Sequence, residues 1–231
     1  MLQKWKFRFA WPNFSAVKQL SAKKPRRQPL GRGKPREAQI ENELGDLAHS
    51  YRGNGRNPVA CGYVARLIES AGDPHQAATC YLSLGQLMEH TQQYTAAFHL
   101  YTEALLLETM DQRTRYFLHN KVGVCLNQFG RHVEAELFCR RAIAIAPERH
   151  NAYKNLGVSL QGQGRLAEAA RCFITAALTN AADPRALRHL EELSARHPEL
   201  THKVAHFERD LQTCQLAVRT TLQWHQPLPR R

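Results

Sequence analysis

Residues 123–142, GVCLNQFGRHVEAELFCRRA, and residues 157–176, GVSLQGQGRLAEAARCFITA, align without a gap thirty-four positions apart. Eight of the twenty places are identical: Gly123/Gly157, Val124/Val158, Leu126/Leu160, Gly130/Gly164, Arg131/Arg165, Glu134/Glu168, Ala135/Ala169 and Ala142/Ala176. That period is the length of a helix–turn–helix unit that stacks on copies of itself. Within 149–180 two apolar patterns at helical spacing flank a glycine. Tyr153, Leu156, Gly157 and Leu160 share one helix face, Gly164 supplies a turn, and Ala169, Phe173, Ala176 and Ala177 line a second helix. Gly157 and Ala169 fall where the two helices cross, and small side chains there let the axes approach to about 8–10 Å. Phe173 fills the gap that opens further along.

The pattern continues upstream. His119, Val122, Gly123, Leu126, Gly130, Ala135, Cys139, Ala142 and Ile143 form a unit ending on Pro147, and Tyr81, Leu84, Gly85, Met88, Ala97, Tyr101, Ala104 and Leu105 form one before it. Gly85 and Gly123 stand thirty-eight residues apart, which assigns about four extra residues to an inter-unit loop near Asp111–Thr114, a cheap place to lengthen a chain. A degenerate unit reads Leu44, Leu47, Ala48, Tyr51, Gly55, Ala60, Val64, Leu67 and Ile68. In their order of aromatic, Leu-Gly, aromatic, Ala, Phe, Ala and Pro, these residues resemble the tetratricopeptide repeat family. The resemblance covers about two thirds of the chain. Thr109 and Ala181 stand where the family has proline, and His119 replaces an aromatic. It implies an all-α fold, a right-handed superhelical stack of helix–turn–helix repeats that buries its shared core once at least three units are present.

Composition divides the chain unevenly. Of its 231 residues, 1–36 hold eleven Lys and Arg and no acid, whereas the remainder is balanced to a net charge of +1. The stretch 20–36, LSAKKPRRQPLGRGKPR, combines Pro, Gly and like charges and reads as a disordered linker. The expected organisation is therefore a basic, aromatic-containing disordered tail over 1–36 and a repeat domain over 38–196. Its units fall at about 41–76, 78–112, 116–148 and 150–182, with a half-unit at 184–196. Leu200, Val204, Phe207, Leu211, Cys214, Val218 and Leu222 lie on one stripe of a final amphipathic helix over 199–222. That stripe reads as a cap on the stack, the alternative being a coiled-coil seam for self-association. No apolar run approaches the ~18–20 residues of a spanning helix.

The concave face of such a stack is lined by the first helix of each unit, on the side away from the Leu/Gly stripe. The candidates there are Ser83 and Gln86, then Asn120, Lys121, Val124 and Asn127, then Asn151, Lys154, Asn155, Val158 and Gln161. Asn and Gln pair with the backbone of an extended peptide and Lys holds a carboxylate; the alternative is an ordinary hydrated helix face. The resemblance implies that Asn155 contacts ligand backbone, while Asn120 and Lys121 straddle the matching place one unit earlier.

His202 and His206 stand one helical turn apart, with His197 across a proline, but no acid sits between them in the zinc-protease pattern and no cysteine pair accompanies them. They read as solvated histidines, and no metal or cofactor is expected. Nor is there a phosphate-cradling glycine loop, a serine elbow or a pair of carboxylates on one face, so no catalytic residues are assigned. In the tail, Lys4, Lys6 and Arg8 alternate with Trp5, Phe7, Phe9 and Trp11, and Lys23, Lys24, Arg26 and Arg27 follow. Lys4, Trp5, Lys6, Arg8 and those four bases are candidates for contact with a polyanion, an anionic membrane surface or nucleic acid. A partner-docking segment and an organellar presequence are the other readings. The function expected is a non-enzymatic, cytoplasmic adaptor or scaffold that holds a peptide or helix of another protein in its groove. The alternative is a membrane-surface or nucleic-acid-associated factor led by the tail.

Overall fold

The computed structural model describes residues 73–107 and 111–224. The tail over 1–36 and all but the last residues of the unit read at 41–76 lie outside the described residues. So do the eight polyanion-contact candidates between Lys4 and Arg27.

Among the described residues there are nine helices and no strand. They are α1 (Pro74–His90), α2 (Tyr94–Leu105), α3 (Gln112–Gln128), α4 (His132–Ile145), α5 (His150–Gly162), α6 (Leu166–Thr179), α7 (Arg185–Arg196), α8 (Leu200–Lys203) and α9 (Phe207–Trp224). Each of α1/α2, α3/α4 and α5/α6 packs as a hairpin, and each second helix packs on the next first helix. The first helices also touch one another, α1 against α3 and α3 against α5. The protein is an all-α stack of helix–turn–helix repeats.

What lets each hairpin close is the missing side chain on its first helix. A Cβ on Gly157 would stand 2.5 Å from the Phe173 ring, and one on Gly123 would stand 2.7 Å from Cys139 Sγ. At Gly85 it would run into the Tyr101 ring. Tyr101, Cys139 and Phe173 are consequently fully buried, and burying a large side chain contributes about 1.5–3 kcal/mol. The turn that follows needs a left-handed residue. Gly130 and Gly164 take it at φ of 72° and 76°, but the second unit places Gln92 there at φ 60°.

The four extra residues between Gly85 and Gly123 are not a loop. Asp111 caps α3, its carboxylate accepting from Thr114 N at 2.9 Å and from the Thr114 hydroxyl at 2.7 Å. Residues 112–114 are already helical. α3 has 17 residues where α5 has 13. Four residues are close to one 3.6-residue turn, so the insertion lengthens the helix while leaving its apolar face in register.

The stretch read as one helix over 199–222 is also corrected: it is two, α8 and α9, separated at Val204–His206. His206 adopts φ 59°. The break lets Leu200, Val204 and Phe207, on both sides of it, bury in one cluster with Leu190, Leu193, Cys214 and Val218. α9 lies against α6 and α7, with Cys214 Sγ 3.9 Å from the Ile174 carbonyl and Gln215 Nε2 donating to Glu191 at 2.9 Å. The apolar stripe thus covers the end of the stack. His202 and His206 are exposed and no longer share one helix.

Candidate functional site

The contacts among α1, α3 and α5 form an inner row, and hydrogen bonds run along it from unit to unit. Lys121 Nζ on α3 reaches both oxygens of Glu89 at the end of α1, at 3.0 and 2.8 Å. Asn155 Nδ2 on α5 donates to Asn120 Oδ1 on α3 at 2.8 Å, and Asn127 Nδ2 donates to the Asn155 carbonyl at 3.1 Å. Asn120 and Asn155 are buried, at 5% and 7% exposure. Buried amides need partners, and these two supply one another.

The sequence candidates therefore separate by position. Asn120, Asn127 and Asn155 are joined across α3 and α5, with His132 Nδ1 a further 3.1 Å from Asn127 Oδ1. Ser83 turns back on its own helix and donates to the Thr79 carbonyl at 2.9 Å. Asn151 Oδ1 accepts from Arg185 Nη2 at 3.3 Å, linking α5 to α7. Gln86, Val124, Val158 and Gln161 are half-buried along the same helices.

Charge along the row is unequally neutralised. Glu89 also accepts the Tyr101 hydroxyl at 2.9 Å, and burial together with Glu89 pushes the Tyr101 hydroxyl's pKa far up. At the other end Asp183 accepts from Arg185 Nε at 2.8 Å and lies 3.0 Å from His150 Nε2. Arg185 holds the Asp183 carboxyl well below the usual carboxylate range. Between these pairs stands Lys154. It makes no hydrogen bond or ion pair among the described residues. Burial, and then the neighbouring Arg185 and Lys121, push its ammonium's pKa down, with Asp183 and Glu89 opposing them only in part. His189 stacks on Phe173 with ring centroids 5.2 Å apart, its pKa lowered by burial and then by Lys154.

Glu89, Arg185 and His189 were not among the sequence candidates. Arg185 and His189 sit on the half-unit α7, whose inner face continues the row. Glu89 carried one signal: it lies four residues after Gly85, one turn along from the ring of Tyr101. Elsewhere Arg131 and Arg165, two of the repeated identities, pair with Glu134 and Glu168 at 2.5 and 2.6 Å. The first pair is solvent-exposed and the second half-buried, and they stand at the starts of α4 and α6.

No protein-family model matches the chain. A stretch of 100 residues is 31% identical to Tetratricopeptide repeat protein 7B of Homo sapiens, covering 43% of this chain and 11% of that protein. The chain thus spans about a tenth of the length of the curated relative it matches. Among solved structures, the MamA RS-1 ArsTM double mutant superposes with a TM-score of 0.59 at 16% identity, over 80% of this chain and 95% of that one. The Hsp90 co-chaperone Cns1 from Saccharomyces cerevisiae gives 0.53 at 18% identity, over 69% of this chain and 55% of that one. These structural likenesses show the fold.

Proposed function

We propose that this chain, similar in sequence to a tetratricopeptide repeat protein and in fold to helical repeat stacks, is a non-enzymatic adaptor holding an acidic peptide segment of another protein along its inner row. One observation carries the reading: Lys154 is a half-buried ammonium in the middle of that row that makes no ion pair or hydrogen bond among the described residues, Asp183 and Glu89 acting on it only from beyond ion-pair distance. A partly desolvated cation lacks the hydration it would have in bulk water, and an incoming carboxylate supplies a charge-assisted hydrogen bond in its place. The half-buried Val124 and Val158 on the same helices give the flanking peptide an apolar surface. The fold is also similar to that of the Hsp90 co-chaperone Cns1. No helix among the described residues is long and apolar enough to cross a membrane.

Selection of a random linear-peptide library displayed on phage, with the full chain as bait, tests this. The wild type should enrich sequences containing an acidic residue, and Lys154→Glu should abolish that preference while leaving the helical circular-dichroism spectrum intact. A chain lacking 1–36 should enrich the same peptides. If that deletion abolishes binding, and binding weakens steeply with salt, the basic tail leads and the groove reading is wrong.

A further inference from the structure

Lys121 and Lys154 both face the inner row, one repeat apart, yet of the two only Lys121 makes an ion pair among the described residues, Asp183 and Glu89 acting on Lys154 from further off. Glu89 meets its ammonium with both oxygens, at 3.0 and 2.8 Å, and both side chains are about four-fifths buried, at 22% and 20% exposure. Glu89 is itself held. The absent side chain at Gly85 lets the Tyr101 ring lie across α1, and the ring's hydroxyl reaches Glu89 one helical turn on, at 2.9 Å. The corresponding rings' places in the next two units are filled by Cys139 and Phe173, which offer no such hydroxyl. The carboxylate at this point is therefore a device of the second unit alone among the three described.

We propose that Glu89 is a specificity-determining residue: it fills from within the chain the place where a ligand carboxylate would meet Lys121. The groove then accepts a peptide with one acidic side chain, at Lys154, and turns away a second acid one repeat towards the N-terminus. A second ligand carboxylate at Lys121 would face the fixed negative charge of Glu89 in a half-dry setting, where like charges repel strongly. Displacing Glu89 would leave the buried Tyr101 hydroxyl without its acceptor. This inference rests on the groove reading above.

The same displayed library, selected on the full chain in parallel with Glu89→Gln, provides the test. The wild type should enrich peptides with one acidic position and Glu89→Gln peptides with two. A synthetic two-acid peptide taken from the second set should bind Glu89→Gln about tenfold more tightly than wild type by calorimetry, about 1.4 kcal/mol. Gln keeps an oxygen for the Tyr101 hydroxyl, and a thermal melt close to wild type verifies that the fold survives. Adding Lys121→Met to Glu89→Gln should remove the gain. Equal acid counts in the two selections, or a two-acid preference already present in the wild type, overturn the role of Glu89 and leave the groove standing. Failure of the wild type to enrich acidic peptides overturns the groove reading, and this inference with it.

Discussion

The second unit (78–112) and the fourth (150–182) close their hairpins with the same device and differ in what that device then requires. Each lays an aromatic ring across a bare glycine, Tyr101 over Gly85 and Phe173 over Gly157, and each ring is fully buried. Phe173 is apolar, so its surroundings are too, save for the imidazole of His189 stacked on it. Tyr101 brings a hydroxyl into the interior, and that hydroxyl needs an acceptor. Glu89 supplies it and in turn draws in Lys121 from the next unit. One oxygen atom on a core ring thus leads to a charged network on the inner face. The repeat period sets the backbone, and departures from the repeat set the chemistry.

The comparison can be broken most severely at the ring. Phe173→Ala should cost about 3–5 kcal/mol, the range for emptying a packed aromatic site, read by urea denaturation of the full chain. Gly157→Ala places a Cβ 2.5 Å from the same ring and should cost about 1–3 kcal/mol by overpacking. Gly123→Ala should cost less, since its neighbour is the Cys139 thiol, which can rotate away where a ring cannot. A neutral Gly157→Ala would mean that Phe173 does not lie across α5.

Much of this was legible in the residues. The thirty-four-residue self-match located the hairpins, and Gly157 and Phe173 marked the crossing because size at a helix contact is a strict steric condition. The stripe from Leu200 to Val218 marked a surface seeking cover. The break at His206 was not legible: a three-and-four apolar spacing is compatible with one helix or with two sharing a face, and only the packing of Leu200 and Phe207 decides. The extra turn of α3 was hidden for a related reason, since four residues fit a loop or a helical turn equally well. At the inner face, sequence order named Lys121 and Lys154 alike. Their difference comes from Glu89, thirty-two residues before Lys121, and such distant pairing has no local signal.

His119 sharpens the comparison in a second way. It stands where the units on either side have Tyr81 and Tyr153, with its ring 5.9 Å from that of Phe138 and Nδ1 buried without a hydrogen-bond partner. Burial, with help from Arg141 and Arg115, lowers its pKa from the ordinary 6.5 to about 4. The folded protein holds the imidazole neutral, so protonation favours the unfolded chain. Its contribution is whole above pH 6.5 and is lost as pH falls towards 4. Allowing for the ring's partial exposure, the loss should be roughly 1–2 kcal/mol. Denaturation of His119→Phe across that range should show a shallower pH dependence than wild type; identical slopes would mean that water reaches the imidazole.

The smallest effects lie at the turns, where they should carry opposite signs. Gly164 at φ 76° and Gln92 at φ 60° occupy the same place in their units, between first and second helix. A left-handed backbone costs a residue with a Cβ roughly 1 kcal/mol, and glycine far less. Nothing lies within 4 Å of a Cβ built on Gly164, so Gly164→Ala tests backbone conformation without a clash and should destabilise by about 1 kcal/mol. Gln92→Gly relieves the same strain but frees the unfolded chain, so its gain should be nearer 0.5 kcal/mol. The second unit would then have the fourth unit's turn while keeping its own charged network. If peptide selectivity through Glu89 is unchanged in Gln92→Gly, the turn's strain and the groove's charge are independent features; a shift in acid preference would mean that the left-handed residue at 92 helps to aim the carboxylate three residues before it.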